Sequence, residues 1–281
     1  MSRGGAPAFV DQTALSVLLR EPRYEVIPVQ GIEEKVAALP PGATVTVTAS
    51  PALGIDRTLD VSRTLAARGY SVVPHLAARM ISGRGHLERL IQRLEGSTVH
   101  EVFVVGGDAT PPAGAYADAG DLLEELAGLA HPFARVGIGG YPEGHPLVAD
   151  ERLLEALFRK QPYASQIITQ LCFDAAALAA WTADIRAAGV TLPVLVGLPG
   201  VVERKRLAEI SLKSGVGASL RYLRKHGRQI VTLARSKRYD PTQLAGEIAE
   251  YASDPSLGIR GVHLFTFNQV EPTRDWVAAH S

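Results

Sequence analysis

Short runs rich in β-branched and apolar residues recur along the chain at 24–29, 44–48, 71–76, 102–105, 136–140, 167–171, 194–198 and 262–267. Most are continuously apolar rather than alternating, as expected of strands buried on both faces of a parallel sheet. The stretches between them carry helical periodicity. Leu87, Leu90, Ile91 and Leu94 form an i, i+3, i+4, i+7 stripe stopped by Gly96. Leu178, Trp181, Ile185 and Ala188 form a second stripe, stopped by Gly189. Asp150 is placed to cap a helix carrying Leu153, Leu154 and Leu157, and a terminal helix surrounds Trp276. A strand followed by a helix, repeated eight times, predicts a (βα)8 TIM barrel. The barrel would occupy residues 1–281 as one α/β domain, with 1–20 as an N-terminal extension. A doubly wound sheet is the competing architecture. It usually has fewer strands, and here the first strand runs into Pro28-Val29-Gln30-Gly31 with no glycine fingerprint and no P-loop. Residues 201–260, between strands seven and eight, are too many for one helix and predict the seventh helix plus two extra helices.

Composition narrows the function classes. Of 281 residues, 46% are apolar and 21% charged, the balance of an ordinary soluble domain. Lys plus Arg and Asp plus Glu each number 29, so the net charge is zero, which argues against a dedicated nucleic-acid binder. The single cysteine, Cys172, excludes a disulfide framework and a Cys-rich metal site and reads as core. No apolar run reaches membrane-spanning length, and residues 1–7 lack the plan of a signal peptide, so a cytoplasmic protein is expected. Between 204 and 238 there are eleven Lys or Arg and one acid, Glu209. That segment is either a solvated helical face or an anion site for a phosphate or polycarboxylate tail.

Barrel chemistry gathers at the C-terminal ends of the strands, so polar residues there are the candidates. They are Glu25, Thr48, Ser50, His75, Asp108, Tyr141, Glu143, His145, Gln170, Asn268 and Gln269. A carboxylate inside a strand as apolar as that of Glu25 is costly unless used. Glu25 therefore reads as a general acid whose pKa burial raises, with a structural ion pair as the alternative. Asp108 reads as functional, or as a turn residue after Gly106-Gly107. His75 is either a satisfied core histidine or a site residue. Gln170, a buried amide with four hydrogen-bonding demands, suits recognition of a polar heterocycle. Tyr141 and His145 could rim a loop. Gly106-Gly107 and Gly139-Gly140 end adjacent strands, where missing side chains admit a large flat ligand close to the backbone. No GxSxG or HExxH occurs, and no metal site is expected.

With these residues in place, the sequence resembles the methylenetetrahydrofolate reductase family. The motifs are Tyr24-Glu25-Val26-Ile27-Pro28-Val29, Val47-Thr48, Asp56-Arg57-Thr58 and Pro74-His75-Leu76. Gly107-Asp108 with Pro111-Pro112 follows, then Tyr141-Pro142-Glu143-Gly144-His145-Pro146, Ile168-Thr169-Gln170 with Phe173-Asp174, and Thr266-Phe267-Asn268. Each is weak alone, but they run in family order across nearly the whole chain. The resemblance is to the family's catalytic barrel, so a C-terminal regulatory domain is not expected.

The resemblance implies an oxidoreductase with FAD at the barrel mouth. NADH or NADPH would reduce the flavin, which would then reduce 5,10-methylenetetrahydrofolate to 5-methyltetrahydrofolate; the reaction run oxidatively would serve one-carbon catabolism. Glu25 would be the acid that opens the methylene bridge. Asp108 would hold the pterin and shape the field near the flavin. Gln170 and Gln269 would contact the folate. Thr48, Ala49, His75, Gly106, Gly107, Asp108, Tyr141, His145 and Lys160 would hold FAD. Family members form dimers or tetramers, so a homo-oligomer is implied. The chain departs from the pattern at four places. Gly106 stands where the family has Arg, with Arg84 and Arg159 as replacements, and Gln269 stands where an Arg follows the final Asn. Val29 replaces a second proline, and 201–204 lack the aromatic expected to stack on nicotinamide. Two alternatives follow: a flavin-free folate reductase with direct hydride transfer, as in some relatives, and a silent folate- or flavin-binding barrel.

Overall fold

A computed structural model describes residues 10–205, 207 and 238–281. Eight parallel strands close in sequence order into one barrel. They are β1 (Arg23–Val26), β2 (Thr44–Val47), β3 (Ser71–Ala77), β4 (Glu101–Val105), β5 (Arg135–Gly140), β6 (Gln166–Leu171), β7 (Val194–Pro199) and β8 (Ile259–Phe265). The predicted TIM barrel is thus observed, and the doubly wound sheet is not. The outer helices among the described residues are α1 (Gln12–Leu18), α2 (Ile32–Val36), α3 (Ile55–Ala67), α4 (Arg84–Leu94), α5 (Ala119–Ala127), α6 (Asp150–Lys160), α7 (Ala175–Ala187), α8 (Thr242–Ala252) and α9 (Val270–His280). Helix α8 fills the place of the seventh barrel helix. The two extra helices expected between β7 and β8 fall on residues outside those described. Helix α1, within the expected extension, packs on α8, where the absent side chain of Gly246 admits Val10. Among the described residues, no helix is long and apolar enough to cross a membrane.

The main core lies between strands and helices and is built from the outward faces of the strands, such as Val26, Val45, Val47, Val104 and Ile138. Burial on both faces explains why the strands read as continuous apolar runs. Inside the barrel, Val73, Phe103, Ile168 and Leu195 form a dry central layer. Below it, the first residues of four strands meet. Glu101 accepts hydrogen bonds from Arg23, Arg135 and Gln166, and plugs the N-terminal end. The apolar pattern starts all four of these strands one residue late, because a charged or amide side chain at a strand start looks like a loop.

Several boundaries moved for identifiable reasons. β1 stops at Val26, short of the expected 29. Asn268 takes over the next residue: its Oδ1 accepts from Ile27 N at 2.8 Å, and its Nδ2 donates to Ile27 O at 3.0 Å. β8 stops at Phe265 because Phe267 and Asn268 adopt φ of 49° and 63°, a region that Asn tolerates better than most side chains. Asp150 does not cap α6. The cap position is Ala149, and Asp150 with Glu151 occupies the first turn, where acids complement the helix dipole. On β6 the register shifts between Ile168 and Leu171, and the Thr169 hydroxyl accepts from Gly197 N at 2.8 Å. Such irregularities re-aim side chains at barrel rims.

Candidate active site at the C-terminal mouth

The centre of the mouth is Glu25, near the end of β1 and 9% exposed. Its Oε2 lies 2.9 Å from His263 Nε2 and 3.7 Å from His75 Nε2. The first distance is a hydrogen bond and the second is not. Both imidazoles are inside, at 0% and 6% exposure. Aromatic edges surround them: Phe103 is 4.7 Å from the His75 ring and 6.2 Å from His263, and Phe265 is 5.0 Å from His263. Burial holds His75 neutral, pushing its pKa down to about 4, although Glu25 pulls the other way and His263 adds to the fall. His75 Nε2 and His263 Nδ1 have no hydrogen-bond partner. His263 is the residue that sequence reading missed. It sits in the run Val262-His263-Leu264, and only the pairing of β8 with β1 brings it beside Glu25.

The ligating atoms of Glu25, His75 and His263 lie within 4.8 Å of one another, the composition of a two-histidine, one-carboxylate cation site. Histidines that carry metal donate their second ring nitrogen to a carbonyl or carboxylate. His263 Nδ1 has no such acceptor, and within the trio only Glu25 and His263 are hydrogen-bonded to each other.

A second group occupies the β4–β5 side. Asp108 follows β4 and is exposed. Tyr141 follows β5, and its hydroxyl pKa is raised first by burial and then by the negative field of Asp108, which places the two side chains in one electrostatic neighbourhood. The Tyr141 and His145 rings meet edge to face at 5.1 Å. Lys160, at the end of α6, is 8% exposed and donates to Gly139 O at 3.2 Å. Burial lowers its pKa to about 8, partly offset by Asp118. The glycine pairs do not act as pairs. A side chain at Gly106 would meet open space, and one at Gly139 would come no closer than 3.8 Å to the Tyr141 hydroxyl. By contrast, Gly107 packs on Ala77, and Gly140 packs on Ile167 and Trp181. Of these four, Gly106 and Gly139 are the two with room beside the backbone.

Other candidates take structural work. Asn268 fastens β8 to β1. Glu143 accepts from the backbone N–H groups of Phe173 and Asp174, tying the β5 loop to the end of β6. Thr48 supports its own strand end: its N–H bonds Val26 O, and its carbonyl accepts from Thr58. Ala49 beside it is half-buried. Gln170 Oε1 turns back on Leu171 N at 2.9 Å. Gln269 Oε1 accepts from Glu203 N at 3.3 Å, in a cleft lined also by Lys35 and Arg238. Cys172 is buried core, and burial raises its thiol pKa. Arg84 and Arg159 do not replace the arginine missing at 106. Arg84 is spent on Glu88 and Glu125, and Arg159 on Asp118, Asp121 and Glu124, all on the outer helices. The aromatic missing at 201–204 has no single substitute. Phe173, Phe267, Tyr239 and Phe265 instead form an apolar cluster with Leu171 and Val202 beside β6 and β8. Most of the basic run lies outside the described residues.

Comparisons with known proteins bear on the family and the fold. The family model for methylenetetrahydrofolate reductase matches residues 29–278. The chain is 31% identical over 93 residues to methylenetetrahydrofolate reductase 2 of Saccharomyces cerevisiae, a match covering 32% of this chain and 16% of the yeast protein. Among solved structures, a protein from Clostridium thermocellum that binds two copies of 5-methyl-5,6,7,8-tetrahydrofolic acid superposes with a TM-score of 0.57 at 13% identity, covering 95% of this chain and 98% of that one. An oxaloacetate acetylhydrolase superposes with a TM-score of 0.52 at 11% identity, over 93% and 82% of the two chains. At such identities the structural matches speak for the barrel alone. The family match extends from the residues just after Glu25 almost to the C-terminus, and by it the chain belongs to the methylenetetrahydrofolate reductase family.

Proposed function

We propose that this barrel reduces 5,10-methylenetetrahydrofolate to 5-methyltetrahydrofolate with NADH or NADPH, using FAD held at the mouth. The observation that carries the reading is the buried Glu25 carboxyl group, facing the mouth from β1 with one oxygen hydrogen-bonded to His263. A carboxyl group placed at the reacting centre is suited to act as a general acid. Protonating the bridge nitrogen opens the methylene bridge and leaves a cationic iminium. Asp108, exposed just after β4, would supply the negative field that favours such a cation. Gln170 would read the pterin edge. The Clostridium thermocellum neighbour that binds a methylated folate on the same fold is consistent with a folate here.

The residues fit a flavin dinucleotide in two respects. Bare backbone at Gly106 and Gly139 gives a flat ring system close approach. Lys160 is a buried ammonium whose hydrogen-bond acceptor is a neutral carbonyl, an arrangement that a phosphate would complete. Thr48, Ala49, His75, Asp108, Tyr141 and His145 would complete the cradle. Bound flavin supplies the relay of hydride from nicotinamide to folate. One observation favours a second reading, direct hydride transfer without flavin: Gly106 offers no charge, and Arg84 and Arg159 are committed elsewhere.

The visible spectrum of the purified protein, before and after anaerobic NADH, decides between them. Flavin bands that bleach with NADH and return on adding methylenetetrahydrofolate are the expected result. A colourless protein that takes up no added FAD, yet oxidises NADH only when the folate is present, moves the assignment to direct transfer. Binding without turnover under any reductant makes it a silent barrel.

A further inference from the structure

We propose that His263 is the positioning residue for Glu25. Its Nε2–H holds one carboxyl oxygen and stabilises the carboxylate left when Glu25 gives its proton to the substrate. The inference rests on the reading of Glu25 as the acid and adds to it a partner on the opposite end of the sequence. The contact is 2.9 Å long and buried, and among the described residues it is the one side-chain hydrogen bond that the Glu25 carboxyl group makes.

The surroundings dictate the protonation state of His263. Its Nδ1 is buried without a partner. An imidazolium would carry two N–H groups, one of them a charged donor with no acceptor, which is strongly disfavoured in such a site. The ring is therefore neutral. Of the two neutral tautomers, one leaves an N–H unpaired at Nδ1 and the other leaves only a lone pair there. The second also gives Nε2–H a carboxylate to bind, a charge-assisted bond.

The other groups facing Glu25 cannot do this. His75 on β3 is the second titratable group, and its Nε2 stands at 3.7 Å, beyond hydrogen-bond reach of the same oxygen. Thr46 on β2, in register with Glu25, has a buried hydroxyl with no partner. Phe103 on β4 and Phe265 on β8 present rings. Arg23, two residues earlier on β1, is paired with Glu101.

The step balances simply. The Glu25 O–H bond breaks as an N–H bond forms at the bridge nitrogen. The electron pair stays on the carboxylate, which His263 Nε2–H continues to bind. His263 keeps its own proton throughout, and Glu25 regains its proton from solvent water. The device is one of orientation and field: Oε2 is pinned, which leaves the other oxygen to face the mouth.

The test combines an infrared titration of Glu25, isolated by subtraction of the Glu25→Gln spectrum, with steady-state kinetics. The proteins are the wild type, His263→Gln, His263→Ala and His263→Phe. In the alanine and phenylalanine variants the carboxylate loses its donor. The Glu25 titration should then rise by about one pH unit, the worth of one modest hydrogen bond. The alkaline limb of the pH–rate profile, which requires protonated Glu25, should rise equally. kcat should fall about 10- to 100-fold, with KM for methylenetetrahydrofolate within about threefold. His263→Gln keeps an N–H donor and should restore most of kcat and the wild-type limb. An unchanged Glu25 titration in both donor-free variants would overturn the inference, as would equal losses in all three variants with no movement of the limb. One equivalent of zinc retained by wild type and lost in His263→Gln would also overturn it, assigning the trio to a cation. If the wild type reduces no folate, the functional reading fails, while the infrared titration still decides whether His263 governs Glu25.

Discussion

Lys160→Met should make the protein more stable and its cofactor looser at the same time. Lys160 is 8% exposed, with its ammonium on the Gly139 carbonyl. Its pKa is pulled from 10.5 to about 8, with burial as the main cause. The folded state thus binds this proton less tightly than the unfolded chain does. Below pH 8 both states carry it and the full cost of burying the charge is present. As pH rises from 8 to 10.5 the folded state sheds it first, and stability rises. At about 1.4 kcal/mol per unit, that cost is about 3 kcal/mol at neutral pH. Methionine fills similar volume and forfeits one hydrogen bond worth about 1 kcal/mol. A net gain of about 2 kcal/mol at pH 7 is expected, shrinking to nothing by pH 10. Urea unfolding of both proteins at the two pH values measures it, read as a shift in midpoint at constant slope. The difference between the two proteins cancels every group they share. FAD affinity, followed by quenching of flavin fluorescence, should fall about 10- to 100-fold, the loss of one charge-assisted bond. A variant less stable than wild type at pH 7 would refute the burial argument, and undiminished flavin affinity would remove Lys160 from the cofactor site.

Three further outcomes follow from the same geometry. Glu101→Ala removes the carboxylate that neutralises the buried Arg23, which keeps only the Gln166 amide oxygen as an acceptor, and should cost about 3–5 kcal/mol in urea unfolding. Folded enzyme should keep its KM, because the plug sits at the end of the barrel remote from the mouth. Stability supported by neutral His75 is fully present above its unfolded pKa of 6.5 and is lost as pH falls from there toward about 4, where the folded ring titrates. Wild type should therefore lose more stability than His75→Phe between pH 7 and pH 5, compared by urea midpoints. Gly106→Arg projects into open space and should leave the melting temperature within about 2 °C while tightening FAD. A large drop in melting temperature would show that the space is not open.

The barrel was legible because its strands are buried on both faces and its helices carry one apolar stripe each. Those two periodicities survive any detail of packing. Glu25 stood out for a related reason: a charge in an apolar strand is expensive, so it announces itself. His263 obeys the same logic but stayed hidden, since a single histidine among valine and leucine reads equally well as satisfied core. Its meaning depends on a pairing across 238 residues, which no local pattern encodes. The polar plug failed to register for the opposite reason. Arg23, Arg135 and Gln166 begin their strands, where polar side chains are ordinary, and only barrel closure brings those starts together on Glu101. The glycine pairs show how far spacing can mislead. Alternation along β5 sends Gly139 and Gly140 to opposite faces, and Gly140 packs on Ile167 with Trp181. Gly106 and Gly107 lie beyond the end of β4, where the positive φ of Gly107 sets it against Ala77 and leaves open space at Gly106.

These details define a division within one barrel. The N-terminal end holds a buried acid saturated with donors: Glu101 receives hydrogen bonds from two arginines and an amide. The C-terminal end holds a buried acid with a single donor, beside two ring nitrogens that bond nothing. Saturation ties the first carboxylate to three strands and serves folding. The second has one donor, which leaves the rest of its hydrogen-bonding capacity open. Unsatisfied polar atoms at such a depth are costly, and a fold that served stability alone would fill them. Among the described residues, three of the four such side-chain atoms, on Thr46, His75 and His263, lie on the strands around Glu25 and none belongs to a partner of Glu101, which is the physical ground for proposing the mouth as the site of chemistry.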